Sequence, residues 1–255
     1  MTVQCIYCNS DAQVDWGGEF FKCQSCELVY RRTMPGEVEL IEMYSQCYSQ
    51  DKIVSGDTDM DSGNVALRNH ADFIGSMLRP PARVLDYGAG TGELVQLLSD
   101  RGYRATGCEP SANAREEARR KYGFSLFSSL DEVQEGSCDL VVAIEVVEHL
   151  SKPWLMFEKF ADLLTPEGRA YIATPNTNGL LARLLKSRWR EAAKPFHLVF
   201  FNYPALDRMA LAAGFRATKT IRYSPLTADS VRSRFVHRTL QFAGLYGGVR
   251  AICYK

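Results

Sequence analysis

Apolar positions along this chain fall into short runs that alternate between strand-like and helical spacing. Val84 to Tyr87 reads as a strand over 83–87, and the leucines and valine between Gly92 and Asp100 recur at helical intervals before Gly102 closes the helix. A second strand is predicted over 103–109, a helix from Ser111 to about Tyr122-Gly123, and a short strand over 124–127. Cys138 to Ile144 is almost continuously apolar, the pattern of a strand buried on both faces. A helix over 153–164, a strand over 169–174 stopped by Pro175-Asn176, a helix from Tyr203 to Ala213 ended by Gly214, and strands near 215–223 and 248–254 complete the series. Upstream, Asn64 is the expected cap of a helix reaching Leu78, ahead of Pro80-Pro81. Such alternation predicts an α/β fold, with a mostly parallel sheet of seven strands and helices on both faces. Ligands are then expected at the carboxyl ends of the strands.

Three segments break the rhythm. Residues 1–30 are cysteine-rich, 31–63 are polar and irregular and read as a linker, and 177–201 interrupt the α/β body, which spans 64–255. In 177–201, Leu180, Leu181, Leu184 and Leu185 form an apolar stripe beside Arg183, Lys186, Arg188 and Arg190, with Trp189 among them. The ordinary meaning is an amphipathic helix packed on the body. A substrate lid, or transient contact with an anionic membrane surface, are the other uses of this pattern.

Composition adds limits. Hydrophobic residues make up 46% and charged residues 24%, and the formal net charge is zero. Bulk charge therefore gives no general attraction to nucleic acid. No apolar run follows Met1 and no stretch is long enough to cross a bilayer, so a cytoplasmic protein is expected. Four of the eight cysteines form two pairs, Cys5-x2-Cys8 and Cys23-x2-Cys26; the others, Cys47, Cys108, Cys138 and Cys253, are scattered. Two close thiolate pairs suit a structural tetrahedral Zn²⁺, with a hairpin over Trp16 to Lys22 turning at Gly17-Gly18. The segment resembles a zinc ribbon; two disulfides or a redox role are the alternatives.

The chemistry is concentrated after the strand at 83–87, where Asp86-x-Gly88-x-Gly90-x-Gly92 forms a glycine loop. Glycines let backbone approach a ligand closely. The GxGxG spacing differs from the GxGxxG that lays a pyrophosphate on a helix N-terminus. Asp86 ahead of the loop suits a ligand carrying positive charge. Glu109, ending the next strand, stands where such folds place a ribose-binding carboxylate.

Val84 to Gly92, Glu109-Pro110-Ser111, Asp139 to Leu150 and Leu164-Thr165-Pro166-Glu167-Gly168 together resemble the ordered motifs of class I S-adenosylmethionine-dependent methyltransferases, over about 65–220. Glu167 replaces one glycine of the family's turn. The resemblance implies a Rossmann-like fold and S-adenosylmethionine as cofactor. It implies that Asp86, Gly88, Gly90 and Gly92 hold the methionine portion, that Glu109 with Pro110 takes the ribose, that Ser129 and Leu130 (beside Ser128) flank the adenine, and that Ile144 and Glu145 line the methyl-transfer face. The family's aspartate is missing near Ser129. Tyr44 and Tyr48 match a segment that covers the cofactor in ribbon-bearing members.

A base is needed only where the acceptor must lose a proton. The candidates are His149, in Glu145-x-x-Glu148-His149, and His197, in Pro195-Phe196-His197. Each also has a structural reading as a histidine bonded to nearby backbone. Glu145, Glu148 and His149 further resemble the acidic-histidine cluster of ubiquinone-pathway O-methyltransferases, which implies a divalent metal there. The expected activity is methyl transfer to O, C or N of a small-molecule acceptor, such as a sugar, lipid-like molecule or secondary metabolite. The alternatives are an RNA methyltransferase reading its target through the ribbon, or a non-catalytic cofactor-binding protein using the ribbon for a partner.

Overall fold

The computed structural model describes residues 4–36, 39–40, 60–223 and 247–255. Tyr44, Tyr48, Cys47 and most of the 31–63 segment lie outside the described residues. The elements, in order, are β1 (Gln13–Gly17), β2 (Phe20–Cys23), β3 (Val29–Arg31), α1 (Met60–Met77), β4 (Arg83–Tyr87), α2 (Glu93–Asp100), β5 (Arg104–Cys108), α3 (Ala112–Tyr122), β6 (Cys138–Ile144), α4 (Pro153–Leu163), β7 (Leu164–Pro175), α5 (Leu180–Leu185), β8 (Val199–Phe200), α6 (Tyr203–Ala212), β9 (Ala217–Tyr223) and β10 (Gly248–Tyr254).

Two sheets result, one ordered β1-β2-β3-β8 and one ordered β5-β4-β6-β7-β10-β9. In the larger, β4 pairs in parallel with both β5 and β6, while β9 and β10 pair antiparallel. It has six strands among the described residues, not the seven expected. The strand predicted over 124–127 shrinks to a single parallel bridge between Cys108 and Phe127. The reason is local: Glu132 accepts from the amides of Ser128 and Ser129, turning the chain as soon as Phe127 has paired. Two smaller differences follow. Asn64 lies inside α1, which starts at Met60. Leu164 to Gly168 opens β7 and is no turn.

The chain divides into two compact units. One comprises residues 36–143 and 162–170 and holds β4, β5 and the glycine loop. Leu85, Leu98, Leu140 and Val141 are fully buried there. At Gly107 a Cβ would stand 2.6 Å from that of Ala89, so only glycine lets β5 lie this close to the loop.

The other unit comprises residues 1–35, 144–161 and 171–255. The cysteine-rich segment does not stand apart within it. β1 and β2 form the expected hairpin, and β3 then pairs antiparallel with β8. Trp16, Phe20 and Val29 pack with Ala182, Trp189, Ala192 and Phe200 into one cluster. In 177–201 the helix is only six residues long. Ala182 and Trp189 are the buried anchors, while Leu181, Leu184 and Leu185 are exposed. The inward anchors are thus one helix residue and one residue beyond the helix, and most of the leucine stripe points outward. No described helix is long and apolar enough to cross a membrane.

Candidate active site

In the first unit the glycine loop is built around the end of β5. Gly88, Gly90 and Gly92 all have positive φ (76°, 54° and 85°), conformations that a Cβ disfavours. The amides of Gly88 and Ala89 donate to the carbonyl of Cys108 at 2.8 and 3.1 Å. Gly90 N donates to Glu109 Oε2 at 3.0 Å, and Ser111 N to Glu109 Oε1 at 2.9 Å. Glu109 therefore braces the loop with one oxygen and starts α3 with the other. Burial pushes its carboxyl above the ordinary range, against the pull of those two amides. Arg115 closes the turn by donating to the carbonyls of Glu109 and Pro110.

Asp86 is buried, and its pKa is pushed up to about 8, first by desolvation and then by the charges of Glu109 and Glu93. A buried carboxylate with acidic neighbours calls for a cation. The ammonium of a bound S-adenosylmethionine fits that requirement, and the three positive-φ glycines give its chain room to pass. Ser129 caps the short 3₁₀ turn Leu130–Glu132, and Leu130 is buried. Ser129 Oγ accepts from the amide of Asp131. This hydroxyl is committed to the turn, so any adenine contact there is with backbone or with Leu130.

In the second unit, Ile144 ends β6 and Glu145 follows with φ 53°, strained for a residue with a Cβ. Its amide donates to Ala173 O at 2.8 Å. Glu145 is exposed, yet the protein packed around it and then the charge of Glu191 hold its carboxyl above the ordinary range. Glu148 is fully buried and held well above the carboxylate range by desolvation and by Glu145; Thr174 Oγ1 donates to its Oε2 at 2.9 Å. His149 Nδ1 lies 3.0 Å from Phe196 O, which supports the structural reading of that ring. Burial lowers its pKa, against a hydrogen bond to the Glu145 backbone.

His197 packs edge-on to His149 with ring centroids 4.7 Å apart. Burial, then the neighbouring cations, drops its pKa to about 2. A ring that resists protonation so strongly is poorly matched to base catalysis at neutral pH. His197 Nδ1 and Glu148 Oε1 are buried without a hydrogen-bond partner. Glu148, His149 and His197 bring ligand atoms within 4.8 Å of one another. His197 thus stands in this group where the sequence pattern suggested Glu145.

In the same unit Cys5, Cys8, Cys23 and Cys26 also bring their sulfurs within 4.8 Å, with Cys5–Cys26 at 3.6 Å and Cys8–Cys23 at 3.5 Å. Zn–S bonds of about 2.3 Å in a tetrahedron put sulfurs roughly 3.8 Å apart, so the four thiols fit that ion. The Cys5–Cys26 hydrogen bond favours ionisation of Cys5 and opposes that of Cys26, as for one proton shared by two close thiols.

Residues 63–220 match the family model described as "Methyltransferase domain". Among curated relatives, the chain is 26% identical over 177 residues to the ubiquinone biosynthesis O-methyltransferase of Idiomarina loihiensis, covering 63% of this chain and 71% of the relative. It is 29% identical over 167 residues to the protein of that name from Thiobacillus denitrificans, covering 57% and 70%. Its fold resembles the solved complex of the Haloferax volcanii Trm112 methyltransferase activator with a methyltransferase (TM-score 0.61, 18% identity, 80% of this chain and 94% of that one). It also resembles 1,6-didemethyltoxoflavin-N1-methyltransferase of Burkholderia thailandensis (TM-score 0.58, 16% identity, 93% and 99%). The chain belongs to the methyltransferase-domain family and is an S-adenosylmethionine-dependent methyltransferase.

Proposed function

We propose that the enzyme methylates a small-molecule acceptor and that Glu145 takes the proton the acceptor gives up. The observation that carries this is Glu145 itself, a strained and exposed residue one position beyond β6, placed to meet an acceptor, with its carboxyl held above the ordinary range. A base tuned near the working pH combines the correct protonation state with real driving force. The curated relatives are named for an O-methyl transfer in ubiquinone biosynthesis, and the balanced charge of the chain supports a small acceptor over RNA.

When bound, S-adenosylmethionine supplies a methyl group already activated by its sulfonium. Asp86 then neutralises the amino end, Gly88, Gly90 and Gly92 pass the methionine chain, and Glu109 keeps the loop in register and faces the ribose. Glu145 accepts the acceptor's proton on a carboxylate oxygen, while Glu148 stays protonated. The 177–201 segment, with its exposed Leu181, Leu184 and Leu185, selects the acceptor. Cys5, Cys8, Cys23 and Cys26 hold a structural Zn²⁺. A divalent ion at Glu148, His149 and His197 is a second reading, favoured by the unpartnered Glu148 Oε1 and His197 Nδ1.

The test is a tritiated-methyl assay on fractionated extract, with ribosomal RNA and small-molecule pools kept separate. Label is expected in the small-molecule pool, lost in Glu145→Gln with S-adenosylhomocysteine affinity unchanged. Label confined to RNA, or full turnover by Glu145→Gln, overturns the proposal.

A further inference from the structure

Arg31 of the ribbon reaches the backbone of the Glu148–His149–His197 group. Arg31, at the end of β3, donates through Nε to His197 O at 3.0 Å and through Nη2 to Lys194 O at 3.2 Å. Its own amide donates to Leu198 O at 2.9 Å, and Leu198 N donates to Glu148 O at 2.8 Å. Tyr30, the preceding residue, pairs with Val199 and is fully buried. Its hydroxyl is buried with no hydrogen-bond partner among the described residues, and burial opposes its ionisation. Glu27 receives a hydrogen bond from Asn202, the residue that caps α6. The short span 194–202 is therefore held from both ends by ribbon residues.

We propose that the four-cysteine ribbon is a tethered positioning module. Pairing β3 with β8 and closing Arg31 on the carbonyls of Lys194 and His197 sets the backbone that seats His197 against Glu148 and His149. Metal at the cysteines is thereby read at that group. Arg31 is the positioning residue. Its guanidinium is planar with several fixed donors, so it can hold two carbonyls at once, whereas a lysine holds one point contact. The two carbonyls it satisfies belong to residues flanking the Pro195-Phe196 corner, which no regular strand or helix braces. Cys23 ends β2 and Cys26 lies just ahead of β3, so a metal held by the four cysteines would fix the turn that leads into β3. The proposal rests on the zinc reading above, but its measurement needs neither turnover nor the acceptor's identity.

The experiment uses the full chain carrying ¹⁵N-histidine, with the His197 imidazole signals assigned by His197→Gln. Amide hydrogen exchange over 194–202 is read in parallel, and S-adenosylhomocysteine affinity reports whether the cofactor unit stays folded. Arg31→Ala should speed exchange over 194–202 by roughly 10- to 100-fold. It should also move the His197 signals and leave cofactor affinity unchanged. Arg31→Lys should recover part of both effects. Cys23→Ser, stripped of ribbon metal, should move the same His197 signals as Arg31→Ala. Wild-type His197 signals and exchange in Arg31→Ala overturn the proposal. A wild-type His197 spectrum in metal-free Cys23→Ser overturns its metal-reading part. If Arg31→Ala loses cofactor affinity, Arg31→Lys decides: moved His197 signals with intact affinity support the role, and unmoved signals end it. Zinc analysis of the wild type separately reports failure of the zinc reading.

Discussion

The amide of Gly90 donates to Oε2 of Glu109 at 3.0 Å, so the residue expected to bind ribose is also the brace of the glycine loop. Removing Glu109 should therefore harm the cofactor site twice. Glu109→Ala is expected to weaken S-adenosylhomocysteine binding by roughly 10- to 100-fold, because two amides lose a charged acceptor. Glu109→Gln, which keeps one acceptor oxygen, should fall between. Calorimetry checks the order, and equal affinity of wild type and Glu109→Ala would refute both roles.

Gly107 tests the packing beneath that loop. A Cβ there would stand 2.6 Å from Ala89 Cβ, 2.9 Å from Leu126 Cδ2 and 3.0 Å from Val95 Cγ2. Overpacking of this kind costs about 1–3 kcal/mol. Gly107→Ala should lower the urea midpoint and weaken cofactor binding together. A midpoint identical to wild type would show that the loop can move aside freely.

Asp86 should make cofactor binding pH-dependent. Its pKa is about 8 in the free protein, so it is largely neutral at pH 6 and must lose a proton to pair with an ammonium. Affinity is expected to rise with pH, by up to about tenfold per unit below that pKa, and to level off above it. The sign for folding is opposite. A carboxyl with a raised folded pKa binds more protons than the unfolded chain between about pH 4 and 8, so it removes stability as pH rises through that window. Asp86→Asn should flatten the binding profile and raise the melting temperature above pH 8. An unchanged slope in Asp86→Asn excludes Asp86 as the source.

The cysteines give a prediction that needs no substrate. Purified protein should hold one equivalent of zinc, and Cys23→Ser should lose it and melt at lower temperature, since the metal contributes directly to folding. Wild-type protein with less than about half an equivalent counts against the site. A second equivalent, lost selectively in Glu148→Gln, would support the ion at Glu148, His149 and His197.

Trp189 is 5% exposed and packs on Phe200 with ring centroids 5.4 Å apart. Trp189→Ala should cost about 3–5 kcal/mol by cavity formation and loosen 177–201 from β1 to β3. Chemical denaturation measures the cost. A loss below roughly 1 kcal/mol would mean the segment is held by other contacts.

Strand and helix positions, the glycine loop and the hairpin turning at Gly17-Gly18 were legible from sequence because each depends on near neighbours, whereas the bond from Gly90 to Glu109 spans 19 residues and was not. Period, turn residues and thiol spacing are local properties. Three further things were not legible. The strand over 124–127 failed because Glu132, a few residues on, captures two serine amides and turns the chain. The leucine stripe of 177–201 faces outward because Trp189 and Ala182 find Trp16, Phe20 and Phe200, a choice between two apolar faces that spacing does not make. Both histidines were candidate bases from sequence; burial of His197 and its packing against His149 became visible only in the fold. Sequence alone thus determined the fold class and cofactor chemistry, which follow from short-range patterns. Tertiary structure decided which acids and histidines are buried and what the ribbon grips, because burial and long-range backbone pairing exist only after the chain has folded.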